Sequence, residues 1–363
     1  MNIEITDHVT IPGFASSPVA EPAQFLIEAA RSLGDSQSAA IMRAWCVPHI
    51  FARREAIFDS NEDPIPAFRT LLRDTARMLH MMSESRMSNI GASAEEMAAS
   101  DQTDSVEAKT GQHYGNLFRQ FSPASYWDET ANLLSVRLER NGIDLASLAG
   151  KSVIDVGCGG GRYTGAWRRI GARPALGVDI SPINIADARR RAQEGGVEDL
   201  SFEEADVLSL PQRNDQFDIV FSNGVLHHTR DWELGISELM RVMKPGGMGW
   251  LYLIENPGGL FWYSIEILRE VMRGVDRETA RRALSALGIP ANRIFYMLDH
   301  VMVPINIRLT PEEVETCLAS NGATSIRRLT RGADFDRIER IHQHEPYAAE
   351  KFGVGENRYI FSK

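Results

Sequence analysis

Apolar residues recur every three or four positions from about Glu21 to Asn89, the spacing of amphipathic helices. Three stretches carry it: PAQFLIEAARSL, SAAIMRAWCVPHIFARREAIF and PAFRTLLRDTARMLHMM. Phe68, Leu71, Leu72, Ala76 and Leu79 mark the apolar face of the third. Pro48 is expected to break or kink the second helix, because proline removes a backbone donor and clashes with the preceding turn. Asp63-Pro64 predicts a turn and a helix start. Residues 1–20 read as irregular. The small, polar, acidic stretch AASDQTDSVEA at 98–108 is the linker candidate. An aromatic-rich segment, HYGNLFRQFSPASYW, follows it, and then a helix from Asp128 to Asn141 stopped by Gly142.

From residue 150 the pattern changes to short β-branched runs alternating with helical stretches. SVIDVG, PALGVDI, LSFEEADV, FDIVFSNGV and GMGWLYLI read as five strands. Ser181-Pro182 is a cap and first-turn pair for the helix after the second strand, and KPGG stops the helix Asp231–Met243. Such alternation predicts a parallel sheet covered on both faces. Residues 255–310 interrupt it with helices only. A helix TPEEVETCLASNG, a strand TSIRRLTR, a charged loop over 331–355 and a last strand ENRYIFSK then complete the chain.

The composition narrows the function. The chain of 363 residues carries a net charge of −10, which disfavours generic binding to nucleic-acid phosphates. Arg168–Arg169, Arg189–Arg190–Arg191 and Arg327–Arg328 read as solvated faces. Cys46, Cys158 and Cys317 are far apart and show no CxxC spacing, so neither a zinc site nor a disulfide framework is expected. The N-terminus has no basic segment leading into an apolar core, and no apolar run approaches the ~18 residues of a membrane span. A soluble, cytoplasmic protein is the expectation.

The candidate chemistry centres on VIDVGCGGGRYTG, residues 153–165. An apolar strand, a glycine-rich turn and a helix form the front half of a nucleotide-binding βαβ unit. Arg162 stands where a dinucleotide fingerprint has its third glycine, and no phosphate-loop motif occurs. Asp155, two residues before Gly157, suits a ligand bearing an ammonium better than a pyrophosphate. Asp179, at the end of the second strand, is placed to accept hydrogen bonds from ribose hydroxyls. Asp206 ends the third strand, where an adenine edge would be read.

These residues resemble the class I S-adenosylmethionine-dependent methyltransferases, in the small-molecule branch with a V-L-H-H-type fourth motif. DVGCGGG, GVDIS, EEADVLSLP, FDIVFSNGVLHHT and RVMKPGG match five family motifs in order. The resemblance covers roughly 110–363. It implies an α/β, Rossmann-like seven-stranded mixed sheet whose last strand is antiparallel. It also implies S-adenosyl-L-methionine as cofactor: Gly157, Cys158 and Gly159 packing on its methionyl part with Gly161 in the same turn, Asp155 anchoring its amino group, and Asp179 holding the ribose with Ile180 against the adenine. Asp206 would take the adenine amino group beside Val207, and Ser222, Asn223 and Gly224 would line the sulfonium end.

Methyl transfer needs a base only where the acceptor loses a proton. His227 and His228, after the fourth strand, are the candidates, with Tyr114 closing the site and Tyr126 in the same aromatic segment. Glu255, Asp299 and His300 are expected near the pocket, whereas Asp334, Asp336, Glu339, His342 and His344 lack metal-ligand spacing. The predicted organisation is an N-terminal helical extension, 1–105, serving as lid, homodimer interface or docking module, and a methyltransferase domain, 106–363, with a helical substrate-cover insertion over about 255–310 after the fifth strand. The function expected is methylation of an oxygen, nitrogen or activated carbon of a small metabolite or natural product. Methylation of a peptide or protein, and a non-catalytic cofactor-binding scaffold, are the alternatives.

Overall fold

The computed structural model describes residues 17–84 and 123–363. The expected linker at 98–108 and Tyr114 lie outside the described residues. In chain order the helices are α1 (Ala20–Ser32), α2 (Gln37–Phe58), α3 (Pro64–Glu84), α4 (Pro123–Arg140), α5 (Arg162–Ile170), α6 (Pro182–Glu194), α7 (Trp232–Val242), α8 (Gly259–Val271), α9 (Arg277–Ala286), α10 (Ala291–Met302), α11 (Pro311–Ser320), α12 (Arg337–His342) and α13 (Ala348–Phe352). The strands are β1 (Val153–Val156), β2 (Ala175–Asp179), β3 (Leu200–Glu204), β4 (Phe217–Asn223), β5 (Met243–Leu253), β6 (Thr324–Arg328) and β7 (Asn357–Ser362).

Two compact units share the chain, and each is assembled from separated segments. The helical unit takes 17–84, 256–303 and 345–354 among the described residues. Buried cations join its pieces. Arg43 of α2 donates from Nε to the Val271 carbonyl at the end of α8, 2.7 Å away, and also reaches the Arg273 carbonyl. The last carbonyls of a helix lack intrahelical donors, so a guanidinium there satisfies them. Arg54 reaches Ser264 Oγ of α8 at 2.7 Å. Lys351 of α13 is fully buried and donates to the carbonyls of Phe58 at 2.7 Å and Ser60 at 3.1 Å, and to Glu345 Oε1 at 2.8 Å.

The apolar faces of α1 and α2 are thus covered within this chain by α8 and α9 of the segment expected as a separate insertion, while α3 packs on α1, α2 and α13. Helix α2 runs unbroken through Pro48, contrary to the expected break. Ala44, Cys46 and Val47 before it and Ile50 and Phe51 after it are all fully buried. Their burial offsets the missing hydrogen bond, worth roughly 3 kcal/mol with its clash.

The second unit takes 123–255, 304–344 and 355–363 among the described residues. Its seven strands lie in the order β3-β2-β1-β4-β5-β7-β6. The first five are parallel, and β7 runs antiparallel between β5 and β6, as the family resemblance implies. Alternation along β1 and β4 feeds two cores. Ile154, Val156 and Val220 face one, and Val153, Ile219 and Phe221 the other with Trp167 and Trp250. Strand order reverses between β1 and β4, so a crevice opens at their carboxyl ends.

Three boundaries differ from the sequence reading. Helix α4 begins at Pro123, ahead of Asp128. Strand β5 begins at Met243, so KPGG already belongs to it. The charged loop over 331–355 holds α12 and α13, each too short to show a helical period.

Candidate functional site

The glycine-rich turn is built from inside. Gly157 and Cys158 N–H both donate to the Val178 carbonyl, at 2.8 and 2.9 Å. Gly159 N–H donates to Asp179 Oδ2 at 2.9 Å, and Gly161 N–H to the Cys158 carbonyl. These amides are committed, so the turn does not offer the ring of inward N–H groups that holds a phosphate. Gly157 has φ +78°, and a Cβ there would lie 2.4 Å from Val225. Gly161, at φ +82°, would drive a Cβ into the Phe202 ring at 2.4 Å. Both positions demand glycine for backbone conformation and for space.

A cavity of about 540 Å³ opens beside this turn, within the range of small-molecule sites. It lies within the sheet-bearing unit. Gly157, Cys158, Gly159, Asp179, Ile180, Asp206, Val207, Asn223, Gly224 and His228 line it, so the ends of four strands meet at one wall. Among the described residues its charged lining is Asp179, Asp206, Glu129 and the guanidinium of Arg162. Three carboxylates against one guanidinium suit a cationic ligand and oppose a polyphosphate.

Asp179 is fixed at the end of β2. Its Oδ1 accepts from Ser181 N–H at 2.9 Å and Asn184 Nδ2 at 3.2 Å, and its Oδ2 from Gly159 N–H. Burial raises its pKa above the ordinary carboxylate value, against the pull of these bonds. Asn184 also lines the cavity, and its buried Oδ1 has no hydrogen-bond partner. With about four acceptor positions on a carboxylate, Asp179 keeps one beside Asn184 Oδ1, two acceptors that suit a vicinal diol. Asp206 Oδ1 accepts from Leu208 N–H at 2.9 Å, which sets its carboxylate on the wall. The donor set therefore fits the cofactor the motifs imply.

The two histidines differ. His228 Nδ1 lies 2.8 Å from the Ile305 carbonyl, which can only accept. Nδ1 therefore carries the proton, and Nε2 is the basic nitrogen. His227 is 2% exposed, does not line the cavity, and its Nδ1 accepts from Ile254 N–H at 3.2 Å. An accepting Nδ1 makes the ring neutral, and its backbone carbonyl receives Ile307 N–H at 2.9 Å. His227 thus joins the turn to the segment that holds its neighbour.

Other expected residues lie off the cavity wall. Asp155 is buried behind the turn, where Oδ2 accepts from Thr164 Oγ1 of α5 at 2.7 Å. Burial pushes its pKa up to about 7, with Asp179 adding repulsion. Gly161 and Ser222 do not line the cavity; Ser222 is fully buried within β4. Tyr126 is fully buried, donates to the Gly160 carbonyl and packs 4.1 Å beneath the Arg191 guanidinium, bracing the turn. Glu255 is buried in an ion pair with Arg337 at 3.0 Å, while Asp299 and His300 belong to the helical unit.

The acids of the last loop face guanidinium groups: Asp334 meets Arg140, Asp336 meets Arg137 and Arg358, and Glu339 meets Arg331. Among the described residues no group of three or more histidine, cysteine or acidic side chains is placed to hold a metal ion. No described helix is long and apolar enough to cross a membrane.

Sequence reasoning missed Asn184, Leu133, Tyr163 and Phe335, all on the cavity wall. Asn184 had a signal, lying three residues past the Ser181 cap on the helix that follows Asp179. The others come from α4, α5 and the last loop, which no local pattern joins.

Residues 154–251 match the family described as "Methyltransferase domain". Over 159 residues the chain is 33% identical to 27-O-demethylrifamycin SV methyltransferase of Amycolatopsis mediterranei, spanning 41% of this chain and 58% of that protein. Over 167 residues it is 29% identical to ubiquinone biosynthesis O-methyltransferase of Bradyrhizobium sp., spanning 46% and 64%. Among solved structures it resembles geranyl diphosphate C-methyltransferase from Streptomyces coelicolor, with TM-score 0.39 and 16% identity over 64% of this chain and 78% of that one. The chain thus spans about three fifths of the length of the two curated relatives it matches.

Proposed function

We propose that this chain, which carries a methyltransferase domain over residues 154–251, moves a methyl group from S-adenosylmethionine to a hydroxyl oxygen of a small molecule. The observation that carries this reading is the cavity's chemistry. Carboxylates, a glycine turn with committed amides, and a histidine with Nε2 as its basic nitrogen all line one space.

When bound, the cofactor supplies a methyl group already activated on a sulfonium. Asp179 and Asn184 would hold the ribose hydroxyls, Asp206 would take the adenine amino group, and Asn223 and Gly224 would line the sulfonium end. His228 Nε2 would take the proton of the acceptor hydroxyl that receives this methyl group. Proton transfer of this kind contributes about 10²–10⁴-fold. Holding acceptor and donor in line contributes the orientation term. Both named relatives are methyltransferases, and one prints O-methylation in its name, which supports oxygen as the acceptor atom.

Titration of S-adenosylhomocysteine tests the donor half. The wild type binds one equivalent, and Asp179→Asn weakens binding by about tenfold or more, the cost of replacing a charged acceptor by a neutral one. Absence of binding by the wild type, or unchanged affinity in the variant, contradicts the reading.

A further inference from the structure

Phe335 is 70% exposed, the most exposed large apolar side chain among the described residues, and it lines the cavity. Its mount is rigid. The next residue, Asp336, is 2% exposed and receives Arg137 Nε at 2.8 Å, Arg137 Nη2 at 2.7 Å and Arg358 Nη1 at 2.6 Å. Ala333 N–H closes the loop onto the same carboxylate at 2.8 Å. Opposing guanidinium groups hold the Asp336 carboxyl far below its ordinary pKa, so these bonds persist through the physiological range.

The same Arg137 has a second task. Its Nη1 donates to the Tyr163 hydroxyl at 2.7 Å, and Tyr163 also lines the cavity. Leu133, one helical turn before Arg137 on α4, lines it too. One buried cation therefore fixes the tyrosine and the pedestal of the phenylalanine, and an apolar wall results. A large aromatic surface held in place loses little conformational entropy on binding.

From this wall, and resting on the methyl-transfer reading above, we infer that the acceptor carries a flat, unsaturated ring system that stacks on Phe335 and presents its hydroxyl to the cavity. Flat rings gain offset or edge contacts with an aromatic side chain that a puckered, saturated skeleton does not. Phe335 is then the residue that selects the acceptor, and Arg137 positions it without touching it.

The test compares 2-naphthol with decahydro-2-naphthol, which share a carbon skeleton and hydroxyl position and differ in flatness. Each is titrated into the full chain saturated with S-adenosylhomocysteine, as wild type, Phe335→Ala and Phe335→Trp. The wild type should prefer 2-naphthol by about tenfold. Phe335→Ala should bring the two within about twofold while keeping S-adenosylhomocysteine affinity, and Phe335→Trp should retain the preference. Equal binding of the two alcohols by the wild type, binding of neither, or an undiminished preference in Phe335→Ala overturns the inference. Failure of S-adenosylhomocysteine itself to bind overturns the methyl-transfer reading instead.

Discussion

At the scale of single residues, protonation decides most of what the site does. An ionised Asp179 is the stronger acceptor for the ribose diol that it would hold together with Asn184, and burial raises its pKa. Cofactor affinity should therefore fall as pH drops through that raised pKa, while Asp179→Asn shows a flat profile. Affinities for S-adenosylhomocysteine measured across pH check this; parallel profiles for the two proteins would contradict it. His228→Ala should lower the rate of methyl transfer by about 10²–10⁴-fold and leave S-adenosylhomocysteine affinity within about twofold. Equal losses of rate and affinity would make His228 a cofactor-binding residue instead.

Asp155 gives a stability prediction with a definite sign. Its pKa is raised to about 7 in the fold, above its value of about 3.9 in an unfolded chain. Between these values the folded state binds the extra proton, so stability contributed at this position falls as pH rises through the window and levels off above it. Asp155→Asn carries no such charge and can still accept from Thr164. Its thermal stability relative to the wild type should rise from pH 5 to pH 8; a constant difference would place the charge cost elsewhere. The sequence showed this acid beside the turn and could not show that its carboxylate turns towards α5, since that depends on Thr164 eleven positions past the start of β1.

At the scale of elements, what was legible is what repeats locally. The apolar runs of β1, β2 and β4 follow from burial on both faces, and Ser181-Pro182 caps α6 as its residues predict, with Ser181 Oγ accepting Asn184 N–H at 3.3 Å. Pro48 does not end α2 because its local penalty is outweighed by the burial of the residues on either side of it against helices distant in sequence. The Arg137–Asp336–Arg358 cluster was invisible because its members sit on α4, the last loop and β7. Arg137→Met removes two hydrogen bonds to the buried Asp336 carboxylate and the one to the Tyr163 hydroxyl while Arg358 stays as ionic partner, so it should cost about 1.5–3 kcal/mol. Chemical denaturation of the full chain checks this, and a loss within about 0.5 kcal/mol, the usual range for surface substitutions, would show that the cluster is not energetically coupled to the fold.

At the scale of the whole molecule, the chain crosses between its two units repeatedly, and β7 reaches the sheet only after α13 has joined the helical unit. The five strand–helix motifs announced the sheet, but the helical unit was read as two parts, an extension and an insertion. Amphipathic spacing shows that a helix has a face to bury, not which distant helix covers it. Deleting residues 1–105 should therefore leave the apolar faces of α8 and α9 exposed and give a protein that aggregates or binds hydrophobic dyes. A soluble truncation with unchanged cooperative unfolding would show that the N-terminal helices are an appendage.

The central claim is methyl transfer to a small molecule from this cavity. The most direct measurement incubates the full chain with methyl-labelled S-adenosylmethionine and a small-molecule extract, then separates products by size. Label should appear in organic-soluble small molecules, reduced at limiting cofactor in Asp179→Asn and strongly reduced at any cofactor concentration in His228→Ala. Label found only in protein or peptide fractions, or transferred to nothing, would contradict it.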